Sequence, residues 1–241
     1  MTMKPSFERE HYLRTSDFDK RGKLNPASIL DLFQDAAGCH ADELGIGSDE
    51  MLRRNLLWVV VKIKFRILAD PAMHQRVTVK TWPLPQSRVS FRREYRIEDG
   101  DGKALVIGSS EWTFMSASER KLALVKDVYP LEEYITEQSF EGRLGRIRDF
   151  EAEGEPYVVR PGFSDLDMNG HVNNIRYAAF VMDALDPAEE ELIDSFQIDY
   201  HREVMEGEAL RLFTSRREGE ILAKGVNEAG ETMFTCRVGL R

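Results

Sequence analysis

Two stretches of the sequence, SDFDKRGKLNPASILDLFQDAA (residues 16–37) and SDLDMNGHVNNIRYAAFVMDAL (residues 164–185), align with each other without a gap. The matched residues are Ser16, Asp17, Asp19, Gly22, Asn25, Asp35 and Ala36 in the first stretch, and Ser164, Asp165, Asp167, Gly170, Asn173, Asp183 and Ala184 in the second. Self-similarity at a fixed spacing is the sequence signature of a repeated structural unit. The sequence therefore predicts two copies of one unit.

Each repeated stretch predicts a polar turn that leads into an amphipathic helix. In the second copy, apolar residues fall at helical spacing on one face, namely Ile175, Ala178, Ala179, Met182 and Leu185. Asn173 or Asn174 is expected to cap the start of this helix, and Pro187 is expected to mark its end.

Strand-like runs follow the helix in both copies. They are WVVVKIKFRIL, RVTVKTW, VSFRREYRIED and ALVIGSSEWTFM in the first copy, and SFQIDYHREV, ALRLFTSRR, ILAKGVNE and ETMFTCRVGL in the second. One helix followed by antiparallel strands, twice over, predicts an α+β fold in which a sheet wraps around a long helix. The expected boundaries are an N-terminal domain at residues 1–125, an acidic and aperiodic linker at 126–156, and a C-terminal domain at 157–241.

The composition limits the class of protein. The chain has 241 residues, 42% of them hydrophobic and 31% charged, which is ordinary for a soluble globular protein. Its longest wholly apolar run, Leu56–Val61, is too short to cross a membrane, and the N-terminus has no apolar signal segment. Cys39 and Cys236 provide no disulfide framework. We therefore expect a cytoplasmic protein with no membrane partner.

The charge balance argues against a nucleic-acid partner. Lys and Arg together number 33 against 42 Asp and Glu, so the formal net charge is -9. Proteins that bind duplex DNA are normally basic, because most of their affinity comes from contacts with phosphate. An acidic partner remains compatible with the sequence only if it docks on a local basic patch.

The segment FSDLDMNGHVNN (residues 163–174) opens like a calcium-binding loop, with Asp165, Asp167 and Asn169 in alternation. An EF-hand loop requires a bidentate Glu at its twelfth position. Counted from Asp165 that position is Arg176, whose positive charge would repel the ion. The residues before the loop contain prolines where a helix is needed. We therefore expect no metal site here, and no other cofactor.

The two copies differ at the start of the helix. The second copy has Asn169 and His171, whereas the first copy has Arg21 and Lys23 at the matched positions. A fold retains in both copies what its structure needs, so differences at matched positions are where chemistry is expected. By the same reasoning, residues shared by both copies favour a structural interpretation, which applies to Asp165 as a turn residue and Asn173 as a helix-start residue.

A second difference lies on the strand after the helix. Aligning IKFRIL with IDYHRE places Glu203 opposite Leu68. The second copy therefore carries a polar set that the first copy lacks except for its aspartate: Asp167, Asn169, His171 and Glu203. This set predicts a reactive site in the second copy.

These segments resemble the acyl-acyl-carrier-protein thioesterases. DLDMNGHVNNIRYAAFVMDAL followed by IDYHREV is similar to the D-x-N-x-H-V-N-N and Y-R-R-E-C segments of the plant members, and WVVVKIKFRI, VKTWP and SSEWTFM are similar to the first half of that family. The resemblance implies two tandem hotdog domains in one chain. It also implies hydrolysis of a fatty acyl-carrier-protein thioester to free fatty acid, which ends fatty acid synthesis.

The resemblance also implies roles for particular residues. Asp167, Asn169, His171 and Glu203 fall on the proposed catalytic positions of the family, and the N-terminal domain is expected to be structural and to supply the acyl pocket. Where the plant members have a cysteine, this sequence has Val204. A cysteine nucleophile at this position is therefore excluded, and attack by an activated water is expected.

Thioester hydrolysis requires an activated water and stabilisation of an oxyanion. We expect His171 and Glu203 to activate the water, because the imidazole of histidine titrates near neutral pH, with Asp167 and Asn169 as positioning groups. A helix start presents free N–H groups and a partial positive charge. The backbone of residues 172–174 is therefore expected to polarise the carbonyl. The predicted substrate-binding residues at this helix start are Asn173 and Asn174.

The sequence leaves two other functions open, and it does not decide which surface of the chain would bind a partner protein. The alternatives are an acyl-CoA thioesterase with the same fold and a non-catalytic acyl-binding module. The expected partner is an acidic acyl carrier protein that docks on a basic cluster, at residues 52–54, 91–94, 142–148 or 215–217. Two fused domains permit a monomer, and a homodimer also remains open.

Overall fold

The computed structural model describes residues 3–87, 90–151 and 153–241. The chain divides into two compact units. The first unit is formed by the chain up to Leu24 together with Ile29–Leu144, and the second by Asn25–Ser28 together with Gly145–Arg241. The predicted linker is thus divided between the units, with residues 126–144 in the first and 145–156 in the second.

The first unit combines a long helix with an antiparallel sheet. Its elements are β1 (Phe7–Tyr12), α1 (Pro26–Glu43) from Ile29 onwards, α2 (Ser48–Arg53), β2 (Leu56–Ile67), β3 (Arg76–Pro83), β4 (Phe91–Glu98), β5 (Ala104–Ser116) and β6 (Leu122–Ala123). The strands pair in the order β1-β3-β4-β5-β2, and the short β6 pairs with the end of β5.

The second unit repeats this arrangement. Its elements are β7 (Glu153–Val159), α3 (Asn174–Leu185), β8 (Ile193–Tyr200), β9 (Leu210–Arg217), β10 (Glu220–Val226) and β11 (Thr232–Leu240). The strands pair in the order β7-β9-β10-β11-β8, which is the order of β1-β3-β4-β5-β2 in the first unit. The predicted duplication, the α+β class and the tandem hotdog architecture are confirmed.

Aromatic side chains and glycines bring each helix against its sheet. In the first unit, Phe33 of α1 stacks on Tyr95 of β4 with ring centroids 4.3 Å apart. A Cβ atom on Gly108 of β5 would lie only 2.1 Å from the Phe33 ring, so this position requires glycine. In the second unit, Tyr177 of α3 meets the ring of Phe234 on β11 edge to face, with centroids 5.2 Å apart.

Part of the segment between the repeats is buried. Val128 and Tyr129 join a hydrophobic cluster of the first unit that includes Phe91 and Phe114. The sequence does not predict this burial, because two isolated apolar residues in an acidic stretch produce no periodicity. The six-residue helix α2 and the two-residue strand β6 were also not predicted, since elements of this length carry almost no pattern.

None of the helices in residues 3–87, 90–151 and 153–241 has the length and apolar character needed to cross a lipid bilayer.

A buried histidine in the first unit is held in its neutral form. The His40 side chain is fully buried; its Nδ1 accepts a hydrogen bond from Nη1 of the buried Arg93 at 3.0 Å, and its Nε2 donates to the carbonyl of Lys4 at 3.1 Å. Burial, with a smaller contribution from the Arg93 charge, lowers the pKa of His40 from 6.5 to about 4.

This histidine should make the stability of the protein depend on pH. Below pH 6.5 the unfolded chain protonates His40, whereas the folded protein does not until about pH 4. Stability is therefore lost as the pH falls through this window, by on the order of 3 kcal/mol for this group. Urea unfolding at pH 7 and pH 4.5 should show a smaller difference in free energy for His40→Gln than for the unmodified protein.

The exposed His74 provides the matched control, and His74→Asn should keep the full pH dependence. An identical pH dependence in His40→Gln and in the unmodified protein would contradict the assignment.

Candidate functional site

The loop before α3 is shaped by the carboxylate of Asp167. Its Oδ1 accepts hydrogen bonds from the backbone N–H groups of Asn169 at 2.8 Å and His171 at 3.1 Å. The Asp167 N–H in turn donates to the His171 carbonyl at 2.8 Å, and Gly170 closes the turn at φ 78°. These bonds fix the backbone from which the His171 side chain projects.

The first copy folds the matching loop in the same way. Oδ1 of Asp19 accepts from the N–H groups of Arg21 at 2.9 Å and Lys23 at 3.0 Å. Its Oδ2 also pairs with the Arg21 guanidinium at 2.6 Å, and the Arg21 side chain is only 3% exposed. Both copies therefore use the aspartate to fold the loop, and the Asp167 carboxylate holds the backbone of Asn169 and His171.

Asp165 has a structural role, as its match to Asp17 predicted. Its Oδ2 accepts from the Gly162 N–H at 3.0 Å, and its Oδ1 accepts from Arg176 Nε at 2.8 Å. Asp17 accepts the equivalent hydrogen bond from the Arg14 N–H at 2.7 Å. Arg176 thus neutralises the carboxylate that would open a calcium loop. Within the described part of the chain, no group of three or more His, Cys, Asp or Glu side chains is placed to hold a metal ion.

The structure brings His171 and Glu203 together. The Val172 N–H donates to the Val204 carbonyl at 2.9 Å, and His171 forms an isolated β-bridge with Met205. This pairing places the segment after β8 beside the loop. Nε2 of His171 then lies 3.4 Å from Oε2 of Glu203, with side chains 20% and 43% exposed. The pair is therefore accessible to water and to a substrate.

The buried Tyr177 and the partly buried Tyr200 hold these segments in place, and the sequence did not single them out. The Tyr200 hydroxyl donates to the Asn174 carbonyl at 2.9 Å, which ties the first turn of α3 to β8. The Tyr177 hydroxyl forms a hydrogen bond with the backbone of Val204. Burial, reinforced by the negative charge of Glu203, raises the pKa of Tyr177 well above 10, so its hydroxyl stays protonated. Both tyrosines resemble ordinary core residues in the sequence.

The start of α3 offers fewer free N–H groups than predicted. Oδ1 of Asn173 accepts from the Ile175 N–H at 3.1 Å, which confirms the expected cap. However, the N–H groups of Val172 and Asn173 donate to the carbonyls of Val204 and Asp165. The expectation that residues 172–174 all present free donors was therefore wrong for the first two, since tertiary contacts occupy them. The Asn174 N–H has no partner among the described residues.

Asn169 lies at the exposed tip of the loop. Its Nδ2 is 3.4 Å from Oδ2 of Asp167, a long contact that leaves the amide largely available to a ligand. The first copy has the buried Arg21 at this position, and Lys23, which matches His171, pairs with Asp70 at 2.9 Å. At these two matched positions, the second copy therefore has an amide and an imidazole where the first copy has two cations paired with carboxylates.

Two exposed apolar side chains flank this site in the chain. Phe163, just before the loop, and Met168, at its turn, are almost fully exposed to solvent. The matched residues of the first copy are Thr15 and Lys20, which are polar. The second copy therefore exposes two large apolar side chains at positions where the first copy has polar ones.

Together, the fold and the site define a tandem hotdog protein with a histidine–glutamate pair in its second unit. The family model of the acyl-ACP thioesterase N-terminal domain matches residues 4–132, and that of the acyl-ACP thioesterase C-terminal domain matches residues 148–237. The chain belongs to the acyl-ACP thioesterase family, and the resemblance seen in the sequence is confirmed.

Similar proteins include two plant enzymes. The chain is 26% identical to the chloroplastic oleoyl-acyl carrier protein thioesterase 2 of Arabidopsis thaliana over 96% of its own length and 69% of that protein. It is 25% identical to the chloroplastic acyl-[acyl-carrier-protein] hydrolase FATB2 of Cuphea viscosissima, over 82% of the chain and 52% of the relative. The chain thus spans about half to two thirds of the length of these curated relatives.

The fold is also found in a solved structure of an acyl-ACP thioesterase from Bacteroides thetaiotaomicron. The two structures agree with a TM-score of 0.89 over 98% of each chain, at 23% sequence identity.

The two loop aspartates should differ in their contribution to stability. Asp19→Ala deprives the buried Arg21 of its paired carboxylate, and we expect the free energy of unfolding to fall by about 3–5 kcal/mol. Asp167→Ala removes hydrogen bonds to N–H groups near the surface that water can replace, so we expect a loss of about 1–3 kcal/mol. Urea denaturation of both variants measures the difference.

Asp167→Asn is the control, because its side-chain oxygen still accepts from the backbone of Asn169 and His171, and it should recover most of the loss. Equal losses for Asp19→Ala and Asp167→Ala would contradict the assignment of Arg21 as the costly partner.

Proposed function

We propose that this protein hydrolyses fatty acyl thioesters of acyl carrier protein to free fatty acid and the carrier protein, and so ends fatty acid synthesis. The observation that carries this proposal is the 3.4 Å contact between His171 Nε2 and Glu203 Oε2. Both groups are accessible, and the start of α3 lies directly after His171 in the chain. The plant relatives named above are acyl-carrier-protein thioesterases and hydrolases, which supports the same reaction class for this chain.

Water is the nucleophile in the proposed reaction. Val204, where the plant members have cysteine, is buried and has no nucleophilic group. The His171–Glu203 pair takes a proton from a water molecule as its oxygen forms a bond with the thioester carbonyl carbon. Histidine is suited to this transfer because its imidazole both accepts and releases a proton near neutral pH. Glu203 orients the ring and stabilises its protonated form.

The negative charge that develops on the carbonyl oxygen requires N–H donors. We assign this role to the Asn174 N–H at the start of α3 and to the side-chain amide of Asn169. A donor of this kind typically lowers the barrier by about 2.7–4 kcal/mol, because it is already oriented when the charge appears. The tetrahedral intermediate then expels the thiolate, which takes the proton from His171 and leaves as the free thiol.

Asp167, Asn173 and Phe163 have supporting roles in this proposal. Asp167 acts through the backbone by holding the N–H groups of Asn169 and His171. Asn173 keeps the first turn of α3 in place through its cap and so positions the Asn174 N–H for the substrate. Phe163, together with Met168, offers an apolar contact to an acyl substrate or its carrier.

We also propose that the carrier protein approaches a local basic patch. The chain carries a net charge of -9, so an acidic partner is repelled by most of the surface. Electrostatic complementarity at the docking site raises the rate of encounter and selects the orientation of the partner.

Substitution of His171 tests the proposed reaction. We expect His171→Ala to lower kcat for an acyl-carrier-protein thioester by roughly 10²–10⁴-fold, because it removes the general base. Glu203→Gln should also lower kcat, since it removes the charge that stabilises the protonated imidazole. Both effects are measured as release of free thiol under saturating substrate.

Lys23→Ala is the matched control, because Lys23 occupies the position of His171 in the first copy and pairs with Asp70 at the surface. This variant should hydrolyse the substrate at the unmodified rate. The mechanism fails if purified His171→Ala retains full activity.

A further inference from the structure

A segment of the second unit is anchored to its sheet by buried polar groups. Oδ2 of Asp199 accepts the Ile147 N–H at 2.9 Å, and Nε2 of Gln197 donates to the Gly145 carbonyl at 2.7 Å. Gln197 also donates to Oδ1 of Asp199 at 2.9 Å, so the two side chains of β8 support each other. The Asp199 residue is 3% exposed. The backbone of the basic cluster at residues 142–148 is therefore held in a defined position at its C-terminal end.

The anchored segment forms one wall of a cleft. Arg146 and Arg148, on either side of the buried Ile147, line a cleft of about 690 Å³. The other walls include His201 and Arg202, which follow β8. Thr232 and Thr235 of β11 add hydroxyl groups to the lining. All of these residues belong to the second unit.

The charges in this cleft do not cancel. Arg202 pairs with Glu231 at 3.2 Å, and the carboxylate of Asp149 pairs with Lys224 at 2.7 Å. By contrast, Arg146 and Arg148 form no ion pair or hydrogen bond with any described residue. The cleft therefore carries two uncompensated guanidinium groups in a protein whose net charge is -9.

The chemistry of these groups selects a class of ligand. A guanidinium presents its N–H donors as a planar fork that matches the oxygens of a phosphate group. Hydroxyl groups such as those of Thr232 and Thr235 add donors for the remaining oxygens. A concave site with two free arginines suits a compact anion that enters the cleft better than it suits a flat acidic surface.

The cleft also lies next to the proposed reactive pair along the chain, because Arg202 directly precedes Glu203. We propose that it binds the phosphate ester of the phosphopantetheine arm that presents the acyl thioester. This inference rests on the proposed function, since that arm is the part that carrier-protein and CoA thioesters share. Binding of the phosphate would hold the arm while its thioester end reaches His171 and Glu203.

A matched pair of ligands isolates the phosphate. We expect 4′-phosphopantetheine to bind the protein on the order of tenfold more tightly than pantetheine at low salt, as measured by isothermal titration calorimetry. Arg146→Ala/Arg148→Ala should abolish this difference and leave the affinity for pantetheine unchanged. The preference should also weaken as the salt concentration rises.

Arg53→Ala/Arg54→Ala is the control for the loss of two positive charges. These two arginines are exposed and both pair with Glu50 in the first unit, so this variant should keep the preference for phosphopantetheine. Equal affinities of the unmodified protein for the two ligands, or no measurable binding of phosphopantetheine, would overturn the proposal. The proposal would also be overturned if the Arg146→Ala/Arg148→Ala variant lost affinity for phosphopantetheine and for pantetheine by the same factor.

Hydrolysis assays then identify the source of the phosphate. The Arg146→Ala/Arg148→Ala protein should show a raised KM and an unchanged kcat for both acyl-CoA and acyl-carrier-protein, and normal kinetics with acyl-pantetheine. A defect confined to acyl-carrier-protein would mean that the arginines contact the protein surface, and the phosphate assignment would be wrong. The calorimetric test requires no turnover. Failure to hydrolyse any thioester would therefore overturn the proposed function and leave the binding result standing.

Discussion

The site depends on one carboxylate that folds a loop. Asp167 accepts the backbone N–H groups of Asn169 and His171, and this pair of hydrogen bonds turns the chain into α3. Without it, the imidazole of His171 would have no fixed direction relative to Glu203. The same arrangement around Asp19 in the first copy shows that the loop is a property of the fold. The residues proposed to carry the chemistry, Asn169 and His171, lie at positions where the loop uses only the backbone N–H groups.

In the first copy, the positions that match Asn169 and His171 are occupied by cations that form ion pairs. Arg21 fills its place with a buried guanidinium that pairs with Asp19, and Lys23 pairs with Asp70 at the surface. Each cation is thus committed to a neighbouring carboxylate. In the second copy, the matched positions are occupied by the exposed amide of Asn169 and the imidazole of His171. The second copy thus lacks the two ion pairs, and in their place it has side chains that can bind a ligand and transfer a proton.

Contacts between residues far apart in the chain decide which groups of the site are available. Pairing of the loop with the segment after β8 brings Glu203 to His171, but it also uses the N–H groups of Val172 and Asn173. Of the three backbone N–H groups of residues 172–174, the Asn174 N–H is the one that has no partner among the described residues. Tyr177 and Tyr200 support the same contacts from within the core. A sequence pattern marks the polar residues of a site, whereas the tyrosines that hold them look like ordinary packing residues.

The sequence by itself determined the duplication, the cap of the second-copy helix and the strand-like runs that follow each helix, because turn chemistry and hydrophobic periodicity are local properties. It also predicted Asn169, His171 and Glu203 as site residues, since two copies of one fold can be compared position by position, and it predicted Asp167 beside them from the family resemblance. Only the tertiary structure decided which N–H groups have no partner among the described residues, and which basic cluster faces a cleft with arginines that pair with none of those residues. Both features depend on contacts between segments that are far apart in the chain, and a local sequence pattern does not predict such contacts.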